Sequence, residues 1–212
     1  MKWDGFLRKV GDLPIINTEM LLAGVVNPNS IKVQISRWEK AGKIIQLKRG
    51  FYILSEEYRK IAVCSQYIAS VLKTPSYISL EKALEYHNLI PEAVYSYTSV
   101  TTGRQGKYIS KFGTFDYRHI KTSLFWGYHS IELNRQIAFI AEPEKALLDF
   151  FYLNKIQISS DYIDEMRLQS LDKIDIAKML KYSERYQNKR VSDICKIAIQ
   201  YIEKYKRTEK EL

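Results

Sequence analysis

Apolar positions near the N-terminus fall into three short runs of helical period, and then the period switches to alternation. Trp3 to Val10 predicts a first helix, broken at Gly11, Leu13 and Pro14. Asn17 is placed to cap a second, TEMLLAGV, with Glu19 favourable in its first turn. The stretch NPNS at 27–30 ends that helix and starts a third, with Asn29 as the expected cap. On a 3.6-residue period Ile31, Ile35 and Trp38 share one stripe, with Gln34 and Ala41 at its margin. The opposite side carries Ser30, Val33, Ser36, Arg37 and Lys40, with Lys32 on a flank; Gly42 closes the helix. Two strands follow, Ile44 to Leu47 and Phe51 to Leu54, joined by Lys48, Arg49 and Gly50, where glycine supplies the positive φ of a tight turn.

Beyond Leu54 the texture changes. Glu57 to Leu72 predicts an amphipathic helix with Ile61, Cys64, Ile68 and Leu72 on one face, broken by Thr74, Pro75 and Ser76. Ser79 is placed to cap a helix running to His87, and Asn88 stands where a left-handed residue ends it. Residues 94–141 alternate in several runs separated by turn residues, which predicts an antiparallel sheet. Pro143 opens a helix, PEKALLDFFYL, and further helices are expected over 160–169, 172–187 and 189–206. The predicted fold class is α+β, with an N-terminal unit over 1–56 and a second unit over 57–212. The second divides into helices plus antiparallel sheet (57–155) and a helical part (156–212).

Charge changes this picture at one place. The 212 residues carry a formal charge of +9, compatible with a polyanionic partner but weak evidence by itself. Between Pro28 and Gly50, however, six cations (Lys32, Arg37, Lys40, Lys43, Lys48, Arg49) face one acid, Glu39. The order of three short helices and a terminal hairpin is that of a winged helix-turn-helix, whose third helix enters the major groove. Its outward stripe offers small polar groups, a guanidinium suited to guanine or phosphate, and an apolar group suited to a thymine methyl. The expected contacts to double-stranded DNA are therefore Asn29, Ser30, Lys32, Val33, Ser36, Arg37 and Lys40 on the helix, with Lys48 and Arg49 at the wing. The competing reading is a solvated basic face. Trp38 lies on the inward stripe and is expected in the core.

Other chemistry is sparse. His87, Arg118, His119, Glu144, Lys145 and Asp149 resemble a catalytic set, but on a regular strand Arg118 and His119 point apart. Glu144 and Lys145 are explained by the helix dipole and surface ion pairing. No phosphate-binding glycine loop, nucleophile elbow or metal-ligand spacing is present, so no catalytic residue, metal or cofactor is expected. Cys64 and Cys195 are isolated, the N-terminus lacks the apolar run of an export signal, and no apolar stretch is long enough to span a membrane. A cytoplasmic location is expected. The aromatic residues of the middle region (Tyr95, Tyr97, Tyr108, Phe112, Phe115, Tyr117, Phe125, Trp126) suit a core with cross-strand pairs, or a platform for single-stranded nucleic acid.

Several segments in series carry a resemblance: SIKVQISRWEKAGKIIQLKRGFYIL, ISLEKALEYHNLIPEAVYSYTSVTTGR, FDYRHIK followed by LFWGY, and IAEPEKALLDFFYL. In this order they resemble the AbiE-type abortive-infection antitoxins, the AbiEi-like transcriptional regulators of type IV toxin–antitoxin systems. The resemblance covers nearly the whole chain. It implies a DNA-binding repressor of its own operon, acting at promoter inverted repeats, with antitoxicity in the C-terminal part. It also implies a nucleotidyltransferase-like toxin as a functional partner that forms no stable complex. The resemblance supplies no site residues; the candidate antitoxicity surface is the side of the middle region bearing His87, Arg118 and Lys145. The alternative class is an enzyme or RNA-directed protein that uses the winged helix only for docking.

Overall fold

Asn17 caps as its position predicts: its Oδ1 accepts from the Glu19 amide at 2.9 Å. In the computed structural model, which describes residues 1–154 and 159–210, the N-terminal elements are α1 (Trp3–Val10), β1 (Ile16–Asn17), α2 (Thr18–Leu22), α3 (Pro28–Lys40), β2 (Ile44–Lys48) and β3 (Phe51–Leu54). The cap of α3 is Asn27 rather than Asn29, because Pro28 takes the first helical position, where its fixed φ fits and its missing N–H costs nothing. Gly42 and Gly50 hold φ of +70° and +86°, at the helix end and the hairpin turn.

The three strands form an antiparallel sheet in the order β1-β3-β2, with a bulge between Gln46 and Lys48. One face sends Ile44, Tyr52 and Leu54 to the helices, where they pack with Phe6, Val10, Ile31 and Ile35. Leu47 and Ile53, with Ile15, turn away from the helices and join the larger core of the protein. Apolar contacts thus cross the expected boundary at residue 56.

The second part holds α4 (Ser65–Leu72), β4 (Ser76–Ile78), α5 (Leu80–Tyr86), β5 (Ser96–Thr101), β6 (Gly106–Ser110), β7 (Gly113–His119), β8 (Tyr128–Leu133) and β9 (Gln136–Ala141). Then come α6 (Pro143–Leu153), α7 (Ser160–Glu165), α8 (Ile176–Arg185) and α9 (Lys189–Lys210). The fold is mixed α and β. The expected boundary between 155 and 156 lies outside the described residues.

Three expectations need correction. Helix α4 starts at Ser65 rather than Glu57. The Gln136 amide donates to the Ala62 carbonyl (2.8 Å) and accepts from the Cys64 N–H (3.2 Å), holding that backbone sideways against β9. The break expected at 74–76 does end α4, after Leu72, but no strand is expected there, and β4 starts at Ser76 and sits inside the sheet. The sheet is mixed rather than antiparallel: its order is β6-β7-β5-β4-β9-β8, with β4–β9 and β5–β7 parallel. Alternation reports which face a residue takes, and it carries no information on strand direction.

Helix α4 covers one face of this sheet, where the Tyr117 hydroxyl donates to the Ala69 carbonyl at 2.6 Å. Tyr77, one residue along β4 from the Ile78–Ser99–Tyr117 row, points to the opposite face and bonds Asp149 of α6. Helices α5 and α6 cover that second face, and α8 and α9 pack on α6. The nine residues from Asn88 (φ +58°, the expected left-handed helix end) to Ser96 return the chain to the sheet. Among the described residues no helix is long and apolar enough to cross a membrane.

Candidate nucleic-acid interface

Helix α3 buries Ile31 and Ile35 and exposes Asn29, Ser30, Lys32, Val33, Ser36, Arg37 and Lys40. Burial of the apolar stripe against α1 and the sheet leaves the polar side nowhere to go but solvent. Val33 is 51% exposed, an uncovered apolar group among polar ones. Lys32, Arg37 and Lys40 make no ion pair among the described residues. Trp38 is half-buried rather than fully covered, and its ring centroid lies 4.5 Å from that of Phe6 and 5.1 Å from that of Trp3.

The hairpin tip is tied to α2: the Thr18 N–H and hydroxyl both donate to the Gly50 carbonyl, at 2.9 and 3.1 Å. Between α2, the start of α3 and this tip lies a groove of about 680 Å³, lined by Lys32 and Arg49 among others, with Glu19 as its acid. Arg49 is exposed. Lys48 is placed differently from the expectation of a free wing cation. Its ammonium donates to the Leu72 carbonyl at 2.6 Å and lies 4.1 Å from the Phe51 ring centroid. Burial, reinforced by the neighbouring Lys73, lowers its pKa. Lys48 belongs to the seam between the hairpin and α4.

The expected antitoxic surface does not form as one face. Lys145 is fully buried. Arg118 pairs with Asp116 on its own strand at 3.5 Å, while His119 points the other way, as strand alternation requires. His87 is half-buried at the end of α5, and its Nε2–H donates to the Ala141 carbonyl at 2.8 Å.

In place of that surface, α6 carries a buried ionic cluster. Asp149 Oδ2 accepts from the Tyr77 hydroxyl (2.9 Å) and the Ser79 hydroxyl (2.8 Å). Its Oδ1 accepts from the Tyr186 hydroxyl (2.7 Å) and from the Lys145 ammonium. Four donors fill the carboxylate's acceptor sites, which is the condition for keeping a buried charge. Lys145 also donates to Tyr186 (2.8 Å) and lies 4.7 Å from the Trp126 ring centroid. Desolvation lowers its pKa and outweighs the opposing pull of Asp149. Gly127, at φ +71°, makes room: a Cβ there would meet the Lys145 Cγ at 3.1 Å. Glu144, also buried, accepts from the Asp175 N–H and lies 3.1 Å from Lys178. Surface ion pairing is therefore the wrong account of Glu144 and Lys145, which are both buried, although Glu144 does lie in the first turn of α6, where the helix dipole favours it. The signal was present in KALLDFF, a charge pair spaced i, i+4 in a helix apolar on every other side.

Cluster and interface differ in chemistry. The cluster is closed to solvent and ties β4, α5, α6 and α8 together; the α3 face is open, cationic and unpaired. Among the described residues no group of three or more His, Cys, Asp or Glu is arranged to hold a metal.

His87 provides a pH test of this packing. Burial holds its pKa below the ordinary 6.5, and the nearby charges of His129 and Lys173 add to the effect against the opposing Ala141 carbonyl and Glu144. The unfolded chain therefore binds more protons below pH 6.5, so stability falls on acidification from 6.5 down to the folded-state pKa. His87→Gln is expected to flatten the fall in Tm over this window. The difference in slope is bounded by one proton, about 1.4 kcal/mol per pH unit; parallel Tm profiles for the two proteins would contradict it.

Compared with known proteins, the chain matches no protein-family model and no curated protein sequence.

Proposed function

We propose that this protein is a sequence-specific DNA-binding repressor, with residues 1–56 as a winged helix-turn-helix and residues 57–212 as the antitoxin part of a toxin–antitoxin operon. One observation carries the DNA reading: α3 presents a continuous exposed face of Ser30, Lys32, Val33, Ser36, Arg37 and Lys40 with unpaired cations. That face lies beside a groove whose far side is the exposed Arg49 of the hairpin tip. Cations spaced this way suit phosphates on both sides of a groove, and the small polar residues between them suit base edges. The order of helices and strands and the three-stranded sheet support the winged-helix reading. The antitoxin part rests on the family resemblance alone. Its partner would be a nucleotidyltransferase-like toxin encoded beside it, and rescue of growth on co-expression tests it.

The DNA reading is tested by fluorescence anisotropy with the segment upstream of the protein's own reading frame and a shuffled control. Arg37→Ala is expected to cost about 1–3 kcal/mol on the native segment and to narrow the gap to the control. Arg49→Ala is expected to weaken both equally and reduce the salt slope by about one unit. Lys48→Ala is expected to leave that slope unchanged, because its ammonium is already engaged by Leu72. Unaltered binding in the Arg37→Ala/Arg49→Ala protein, with its circular dichroism intact, would end the proposal.

A further inference from the structure

Glu81 Oε2 is buried and has no hydrogen-bond partner. A desolvated carboxylate oxygen without a donor is unfavourable, and the surroundings explain what would relieve it. Glu81 lines a pocket of about 330 Å³ between α5, the 88–95 connection, α6 and α7. Its walls are apolar, formed by Leu84, Ile90, Val94, Phe150 and Met166, and the remaining lining residues are Glu92, Tyr162 and Glu165. No cation lines it. Glu92 is satisfied from outside by Arg167, whereas Glu81 and Glu165 make no ion pair among the described residues.

Tyr162 lines the same pocket as these two acids. Burial raises the pKa of its phenol, and the charges of Glu81 and Glu165 raise it further. The phenol therefore stays neutral, and among the described residues its oxygen is free of any hydrogen bond. An ammonium group has three donors and no acceptor, and so matches two carboxylates and a phenol oxygen. The volume lies at the low end of small-ligand pockets, which limits the rest of the ligand to a single ring or a short chain.

We propose that this pocket binds a small primary amine with an apolar ring, its ammonium held by Glu81 and Glu165 and its ring by Leu84, Phe150 and Met166. This site is independent of the α3 face and of the DNA reading.

The probe is 2-phenylethylamine, with 2-phenylethanol as the neutral isostere and n-butylamine as the chain-only amine. Binding to the full-length protein is followed by methyl NMR, since Met166 is the one methionine that lines the pocket. The amine is expected to shift the Met166 methyl saturably, leave Met20 unmoved, and bind at least tenfold tighter than the alcohol. Glu81→Gln keeps the shape and removes the charge, and is expected to weaken the amine at least tenfold without changing the affinity for the alcohol. Equal affinities for amine and alcohol, or a Glu81→Gln protein that binds the amine as well as the parent, would overturn the proposal. Equal affinity for n-butylamine would overturn it too, because the ring would then contribute nothing to binding. Because no DNA is present, a failure here leaves the Arg37 experiment untouched.

Discussion

Asp149→Ala is expected to lower the melting temperature by roughly 6–20 °C, the equivalent of about 3–5 kcal/mol in a chain of this size. The loss has two parts. Lys145 stays in a place where no water reaches it and its charge has no counterpart. The hydroxyls of Tyr77, Ser79 and Tyr186 lose their common acceptor at the same time. Since whole-domain stabilities are about 5–15 kcal/mol, one carboxylate accounts for a large part of the margin. Removing both charges together separates the pair from its packing. Lys145→Met combined with Asp149→Asn is expected to recover at least half of the loss, because no uncompensated ion remains and the amide oxygen still accepts. Calorimetry of the two proteins decides it: a Tm shift for Asp149→Ala within error of zero would mean that water enters the cluster.

Trp38→Ala is the second change with a large expected effect, and the neighbouring Arg37→Ala is its control. Truncating a buried tryptophan costs about 3–5 kcal/mol. Trp38 is half-buried, so the lower end, about 3 kcal/mol, is expected. Its ring joins α3 to α1 through Phe6 and Trp3, and the buried members of the small core behind it, among the described residues, are Phe6, Val10, Ile16, Ile31, Ile35, Ile44, Tyr52 and Leu54. Amide exchange in α1 and α3 is expected to speed up roughly a hundredfold, about 1.4 kcal/mol per factor of ten. DNA binding falls with it, through disorder of the face that carries Arg37. Arg37→Ala is expected to weaken specific binding by about 1–3 kcal/mol with exchange rates unchanged. A Trp38→Ala protein with native exchange rates and no DNA binding would put the ring on the nucleic acid.

The anchoring of β2 and β3 limits how far the N-terminal part can be treated alone. Leu47 and Ile53 lie in the larger core, and Lys48 bonds the end of α4. Damage at Trp38 therefore loosens α1 and α3 before it loosens the hairpin.

Local regularities of the chain were legible because they depend on near neighbours. The α3 stripe follows from a period of 3.6: once Ile31 and Ile35 face inward, Arg37 and Lys40 must face outward. Caps and turns at Asn17, Gly42, Gly50 and Asn88 follow from the backbone each residue type tolerates. Alternation likewise sent Phe115 and Tyr117 inward and paired Asp116 with Arg118 on the other side. What neighbours further along the chain supply was beyond such reasoning. The Gln136 amide, over seventy residues away, keeps 62–64 out of the expected helix. Three-residue β4 has too few positions to show a period, yet its pairing with β5 and β9 makes the sheet mixed. Lys145 has its counter-charge Asp149 four residues along its own helix, but its burial depends on Tyr77, Trp126 and Tyr186 arriving from three other segments. The periods of the chain determined its helices, its turns and the outward basic stripe; only long-range hydrogen bonding and burial, which reward groups far apart in sequence, decided which strands met and which charges went inside.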